Sequence, residues 1–386
     1  EGGAVGYISD RDCAFDGCNF AVKVKDTREA LLSLAKAYRQ KFDIKVIGLT
    51  GSVGKTTTKD MIASALSAGG RQVLKTEGNF NNDIGVPLTL FGIRSHHKIG
   101  VVEMGMNHFG EISKLTACAK PDIAVITNIG ESHIENLKSR QGILKAKCEI
   151  FEGLDENGIA ILNGDDELLY GIRENISFKT IYCGIENASC DIVAGNIKSG
   201  NEGISFTVDG VEYSLTTVGK HNVINALFAI AAGRILGIDD KDIRDGLAGY
   251  ESSGIRQSIT EKDGIKVITD CYNAAPLSVK AALDVLTEIA RGRKIAVLGD
   301  MKELGDKTEQ YHREVGEYAS TKGIDKLLVI GEYAEFTAAG ATCPTQIFES
   351  KAELISYLKT ELSAGDSILF KGSRAMKLEE VAGEFN

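Results

Sequence analysis

An α/β protein with two successive parallel-sheet units is predicted from three features of this sequence. Short apolar runs alternate with stretches of helical spacing over most of the chain, as in doubly wound folds. One run, Lys45-Val46-Ile47-Gly48-Leu49, leads into Thr50-Gly51-Ser52-Val53-Gly54-Lys55-Thr56-Thr57-Thr58, a glycine-rich turn that opens a helix-forming segment. The polar Glu251-Ser252-Ser253-Gly254 then interrupts the pattern, and the alternation starts again behind it.

Residues 4–9 and 19–24 read as short strands with too little mass around them for a domain of their own. Asp26-Thr27-Arg28-Glu29 has the look of a helix start, with residues 30–42 as the helix. The runs 46–49, 99–104 and 122–129 are nearly continuous in apolar residues, as expected for parallel strands covered on both faces. Helices near 56–68, 110–119 and 139–152 fit around them. Residues 180–217 read as antiparallel strands with turns at Asn201-Glu202-Gly203 and Asp209-Gly210, followed by helices at 221–236 and 240–247. In the second unit, strands at 265–269, 294–298, 326–330 and 367–370 are separated by helices at 278–290, 308–321 and 350–362. Its Val297-Leu298-Gly299-Asp300 turn is no G-x-G-x-x-G, which disfavours a nicotinamide cofactor. The domain reading is a short N-terminal piece (1–25), a linking helix (26–43), a central P-loop domain with an antiparallel subsheet (44–250) and a Rossmann-like C-terminal domain (255–386).

Composition narrows the function. The 386 residues carry 44 Lys and Arg against 54 Asp and Glu, a net charge of −10 that argues against nucleic acid as a partner. The eight cysteines are scattered without a Cys-x-x-Cys, which reads as reduced thiols in a cytoplasmic protein. No apolar run is long enough to insert into a membrane. The chain opens at Glu1 rather than methionine, which reads as a truncated or processed polypeptide.

Ligands of open α/β sheets bind beyond the carboxyl ends of the strands, and that rule selects the candidate residues. Residues 50–58 come first: backbone N–H groups at a helix N-terminus hold phosphate, Lys55 reaches the terminal phosphates and Thr56 offers its hydroxyl to Mg2+. The strict pattern asks for glycine at position 49, where Leu49 stands, with Gly48 one residue early. Glu103 ends a buried strand and needs a partner, either Mg2+ beside the loop or a neighbouring lysine. On spacing alone His133 reads as an ordinary hydrogen-bonded histidine and Lys147 as a solvated helix lysine. Asn222 and Asn225, three apart at a helix start, can face one ligand or cap the helix. Arg256, just past the break, can lean back onto a nucleotide or lie on the surface.

Together these residues resemble the Mur ligase family. The resemblance runs from about residue 26 to the end and is carried by the shifted loop Thr-Gly-Ser-x-Gly-Lys-Thr and by Gly78-Asn79-Phe80-Asn81-Asn82-Asp83-Ile84-Gly85. It continues through Glu103-Met104-Gly105, Thr127-Asn128-Ile129-Gly130-Glu131-Ser132-His133, Lys145-Ala146-Lys147-x-Glu149-Ile150, His221-Asn222-x-x-Asn225, Tyr272-Asn273-Ala274-x-Pro276 and Lys371-Gly372-Ser373-Arg374. It implies an ATP-dependent amide ligase that joins D-alanyl-D-alanine to a UDP-N-acetylmuramoyl tripeptide through an acyl phosphate, acting as a monomer. It further implies that residues 50–57 (Thr50, Gly51, Ser52, Val53, Gly54, Lys55, Thr56 and Thr57) hold the phosphates, and that Thr56 and Glu103 share one Mg2+. His133 would serve a second Mg2+, supported by a carbamate on Lys147. Asn225, Arg256, Asp270 and Asn273 would contact the nucleotide, Asn82 or its neighbours the acyl phosphate, and Ser373 with Arg374 the dipeptide. Residues 1–25 would be the last strands of an N-terminal UDP-binding domain. Carbamylation needs a neutral amine, and at pH 7 only about four in ten thousand ordinary lysines are neutral, so Lys147 would need a pocket that lowers its pKa. Ala275, Ser132 and Lys138 depart from the family's pattern. The alternatives are an amide ligase with another acceptor, such as a folate, and a P-loop ATPase.

Overall fold

The computed structural model describes residues 4–12, 18–200, 203–252 and 256–386. The predicted turn at Asn201 and Glu202, the break at Ser253 and Gly254, and Cys13 lie outside the described residues.

The run that leads into the glycine loop becomes the strand Lys45–Thr50, whose last five residues are all buried. It lies in the interior of a seven-stranded sheet, in the spatial order Val73–Lys75, Ile99–Glu103, Lys45–Thr50, Ile123–Ile126, Ile159–Asn163, Lys179–Gly184 and Ile192–Val193. Every pairing in this sheet is parallel. All the strands therefore present their carboxyl ends to one edge, and Thr50, Glu103 and Thr127 come together there. Both faces are covered. One packs on the P-loop helix Lys55–Ser67 and on Lys220–Ile235, a helix apolar on nearly every side because it is enclosed between the sheet and its neighbours.

Two readings need correction. Residues 179–193 are not antiparallel; Lys179–Gly184 and Ile192–Val193 extend the parallel sheet, because the short helix Glu167–Gly171 supplies a crossover after Ile159–Asn163. The antiparallel subsheet is confined to Gly195–Gly200, Gly203–Val208 and Val211–Leu215. The first helix spans Thr27–Arg39, three residues earlier than read, since the Asp26 carboxylate accepts from the N–H groups of Arg28 and Glu29 and starts it there.

The second sheet runs Ser258–Lys262, Ile265–Asp270, Ser367–Lys371, Lys294–Gly299, Lys326–Ile330 and Thr345–Phe348, parallel except for its first strand. The ends of its second and third strands in that order are tied by Lys371. This side chain is almost fully buried, and its ammonium donates to Asp270 Oδ2 at 2.7 Å and to the Asn273 carbonyl at 2.9 Å. Near the N-terminus, Gly6–Ser9 and Phe20–Lys23 pair in parallel. The described cysteines are all free thiols, and no helix among the described residues is long and apolar enough to cross a membrane.

Candidate active site

The loop after Thr50 is held by the segment that follows the neighbouring strand. Thr127 N–H donates to the Thr50 carbonyl (3.0 Å), and its hydroxyl donates to the Val53 carbonyl (2.7 Å). The Asn128 side chain takes Val53 from both sides, accepting from its N–H at 2.9 Å and donating to its carbonyl at 3.0 Å. Ser52 Oγ accepts from Gly130 N–H at 2.9 Å. Glycine is required at two points. A Cβ on Gly51 would stand 1.8 Å from Thr127 Oγ1, and Gly54 has φ +81° with Asn225 Oδ1 only 3.0 Å from where its Cβ would be. The early Gly48 serves elsewhere. It lies within the strand, where a Cβ would press on Met104 and Pro121 at 3.1 and 3.2 Å. The glycine that looked displaced belongs to the sheet's packing, not to the phosphate cradle.

Beside the loop, Glu103 is 1% exposed. Its carboxylate accepts from the Thr56 hydroxyl at 2.9 Å and from Asn81 Nδ2 at 2.8 Å. No Lys or Arg nitrogen comes within 4.0 Å of it among the described residues, so the lysine salt bridge left open by the sequence is not formed. A buried carboxylate with an adjacent hydroxyl and no cation suits a hard divalent ion. Lys55 donates to the Gly51 carbonyl at 2.9 Å. Burial lowers its pKa, the Glu103 charge acts in the opposite sense, and Arg256 adds to the lowering.

Lys147 is not a solvated helix lysine. It is 2% exposed, on the helix Arg140–Cys148, and has no hydrogen-bond or ion-pair partner among the described residues. Burial, reinforced by the Lys55 charge, drives its pKa well below the ordinary lysine value. An unpartnered amine held there gives up its proton more readily than an ordinary lysine, which suits carbamylation. His133 lies at the cleft in the left-handed region (φ 65°), with Nδ1 2.6 Å from Glu303 Oε2 of the C-terminal unit. The imidazole holds the Glu303 carboxyl below its usual range.

A cleft of about 370 Å³ runs between the two sheets, within the size range of small-molecule sites. Its walls carry Ser52, Val53, Gly54, Lys55, Thr56, Thr57, Asn82, Glu103, His133, Asn225, Arg256, Asp270 and Asn273. Thr50, Gly51 and Lys147 are buried and are not on the wall. Asn82 lies on the wall, and its side-chain oxygen accepts from Ile84 and Gly85 N–H in the turn before the helix Gly85–Phe91. Deeper in, Asn225 accepts from Thr58 Oγ1 (3.0 Å) and donates to Asn222 (3.3 Å), which donates to Gln257 (3.0 Å). Gln257 also meets His221 Nε2 at 3.1 Å, so the start of the second unit is keyed to this helix. Arg256 stacks its guanidinium 3.6 Å over the Tyr272 ring.

Ser373 and Arg374 are not on the cleft wall. Ser373 Oγ accepts from Lys302 N–H at 3.0 Å, and Arg374 pairs with Glu379. Sequence reasoning gave no role to Gln257 or Lys371, and reached Asn81 only as a neighbour of Asn82. Gln257 was signalled by adjacency to Arg256, whereas nothing in the sequence marked the Lys371–Asp270 tie.

With this geometry in view, comparison with known proteins gives concordant results. The Mur ligase middle domain matches residues 49–233, and the Mur ligase glutamate ligase domain matches residues 256–374. The UDP-N-acetylmuramoyl-tripeptide--D-alanyl-D-alanine ligase of Bacillus subtilis is 44% identical over 391 residues, covering 99% of this chain and 84% of the relative. The Escherichia coli enzyme of the same name is 39% identical, covering 93% and 80%. Among solved structures, MurF from Acinetobacter baumannii superposes with a TM-score of 0.91 at 35% identity, covering 99% of this chain and 84% of its own. MurF ligase from Thermotoga maritima in complex with ADP gives 0.89 at 29% identity, covering 99% and 88%.

The environment of Lys147 has a measurable consequence. Its folded pKa lies below the unfolded value, so in the interval between them the unfolded chain holds more protons and stability rises with pH. The penalty for burying the ammonium is present in full below the folded pKa and fades as pH approaches the ordinary lysine value. In CO2-free, metal-free buffer, Lys147→Met should therefore raise the urea midpoint at pH 7, with the gain shrinking towards about pH 10, near the ordinary lysine value. An unchanged or lowered midpoint at pH 7 would contradict the burial of an unpartnered amine.

Proposed function

The chain belongs to the Mur ligase family, and from that premise we propose that it is an ATP-dependent amide ligase joining D-alanyl-D-alanine to UDP-N-acetylmuramoyl tripeptide in peptidoglycan precursor synthesis. The observation that carries this reading is the cleft that puts a phosphate loop and the cation-ready Glu103 on one wall and Arg256, Asp270 and Asn273 on the other. A switching ATPase needs no such second wall.

In this reading the loop amides of residues 51–56 and Lys55 hold the β- and γ-phosphates, and Asn225, Arg256, Asp270 and Asn273 contact the nucleotide. Thr56 and Glu103 would hold one Mg2+; His133 and a carbamate on Lys147 would hold the second. When bound, these ions neutralise charge that develops on the transferring phosphoryl group. The terminal carboxylate of the tripeptide attacks the γ-phosphorus, and ADP departs. The α-amine of D-alanyl-D-alanine, having lost a proton, then adds to the acyl carbon, and the tetrahedral adduct expels inorganic phosphate to leave the amide. Lys55 stays on the phosphoryl oxygens through the first step, and Asn82 on the cleft wall faces the acyl phosphate. Docking of the C-terminal unit keeps water from that intermediate, which hydrolysis would waste. Ser373 and Arg374, off the cleft wall, are assigned to the dipeptide by the family resemblance alone. The lysine-derived carboxylate explains why the pocket is dry, since a hydrated lysine at neutral pH is almost wholly an ammonium that does not take up CO2. The free thiols and the substrates fit a cytoplasmic enzyme.

Phosphate release from ATP should require both UDP-N-acetylmuramoyl tripeptide and D-alanyl-D-alanine, and a coupled phosphate assay reads this directly. Brisk release with neither substrate would favour a plain ATPase. Lys147→Ala should lose about 10- to 100-fold in turnover, by the usual scale for a group that orders a metal site, and millimolar short carboxylates should restore part of it. Full activity in the unrescued variant would remove the carbamate from the mechanism.

A further inference from the structure

Two residues other than glycine adopt left-handed backbone in the same small volume, although they come from different structural units. His133 has φ 65° and Glu303 has φ 65°. Such conformations cost energy for residues with a side chain and persist where the surroundings impose them. Here they bring Glu303 Oε2 to 2.6 Å from His133 Nδ1. That nitrogen is shut off from solvent and meets no other polar partner among the described residues. The contact is close but bent, short of a linear hydrogen bond. The backbone repeats the link: Glu135 N–H donates to the Glu303 carbonyl at 3.4 Å, and a Cβ on Gly305 would touch Glu135 at 3.2 Å.

The loop that presents Glu303 is rigid from behind. Asp300, 2% exposed, accepts from the N–H groups of Glu332 and Tyr333 at 3.1 and 3.0 Å, and its carbonyl accepts from Ser373 N–H at 3.0 Å. Lys302 N–H donates to Ser373 Oγ, and the buried His312 ring accepts from Met301 N–H at 3.0 Å.

We propose that Glu303 is a cross-domain positioning residue. Carried by the C-terminal unit, it fixes the His133 imidazole of the central unit through Nδ1 and leaves Nε2 to a divalent cation. The histidine is then correctly presented only when the two units are docked, which couples assembly of the cation site to closure of the cleft. Carboxylates that orient a metal-binding histidine through its other nitrogen are a general feature of metal sites, and their loss typically weakens the metal about 10- to 100-fold. The inference rests on the reading of His133 as a cation ligand.

The test is Mn2+ binding to the ADP-saturated protein, followed by electron paramagnetic resonance, for the wild type, Glu303→Ala and His133→Ala. The Glu303 side chain is about half exposed (53%), so its removal should leave thermal unfolding unchanged. The expected result is two Mn2+ in the wild type, loss of one in His133→Ala, and about a 10-fold or greater weakening of that same one in Glu303→Ala. Glu303→Gln, which keeps an acceptor oxygen, should lose less and serves if the alanine variant is poorly folded. Wild-type affinity in the Glu303 variants alongside a lost site in His133→Ala would overturn the inference alone. Two wild-type sites in His133→Ala would remove the assignment of His133 and the inference together.

Discussion

The carboxylate of Glu103 is the constraint around which the site is arranged. It is almost fully buried at the end of an interior strand, with a hydroxyl on one oxygen and an amide on the other and no cation from the described residues. Two neutral donors do not offset the cost of desolvating a full charge. A cation arriving with the nucleotide would meet the deficit and direct binding energy to the place proposed for phosphoryl transfer. The same dryness acts on Lys55 and Lys147, both pushed below the ordinary lysine range.

The rest of the fold serves to hold that arrangement. Parallel strands bring Thr50, Glu103 and Thr127 to one edge, and Thr127 with Asn128 clamps the loop so that its amides need not reorganise. Glu149 accepts from Gly110 and Ser113 N–H, joining the end of the Lys147 helix to the helix that follows the Glu103 strand. The second unit meets the first across the cleft through Gln257 and Glu303. Both contacts are polar, as suits an interface between units that would separate to exchange substrates.

Much of the fold was legible because its strands are short, apolar and followed by turn residues, a local signal. The failures were non-local. Whether residues 179–193 pair in parallel depends on a crossover through a five-residue helix, which periodicity does not register. The phosphate loop was legible from its glycines and Lys55, yet the role of Gly48 was not, because it answers to Met104 and Pro121 across the sheet. Lys147 looked solvated on a helix whose buried face is set by tertiary packing. The ties of Lys371 to Asp270 and of Glu303 to His133 join residues far apart in the chain and leave no mark in local sequence.

The central claim is that Glu103 is the seat of the nucleotide's cation. Calorimetric titration of Mn2+ into the ADP-bound protein, compared with Glu103→Gln, tests it most directly. The account predicts that the amide, equal in size but uncharged, weakens the tighter Mn2+ by at least about tenfold, or about 1.4 kcal/mol. Equal affinity in the two proteins would contradict it.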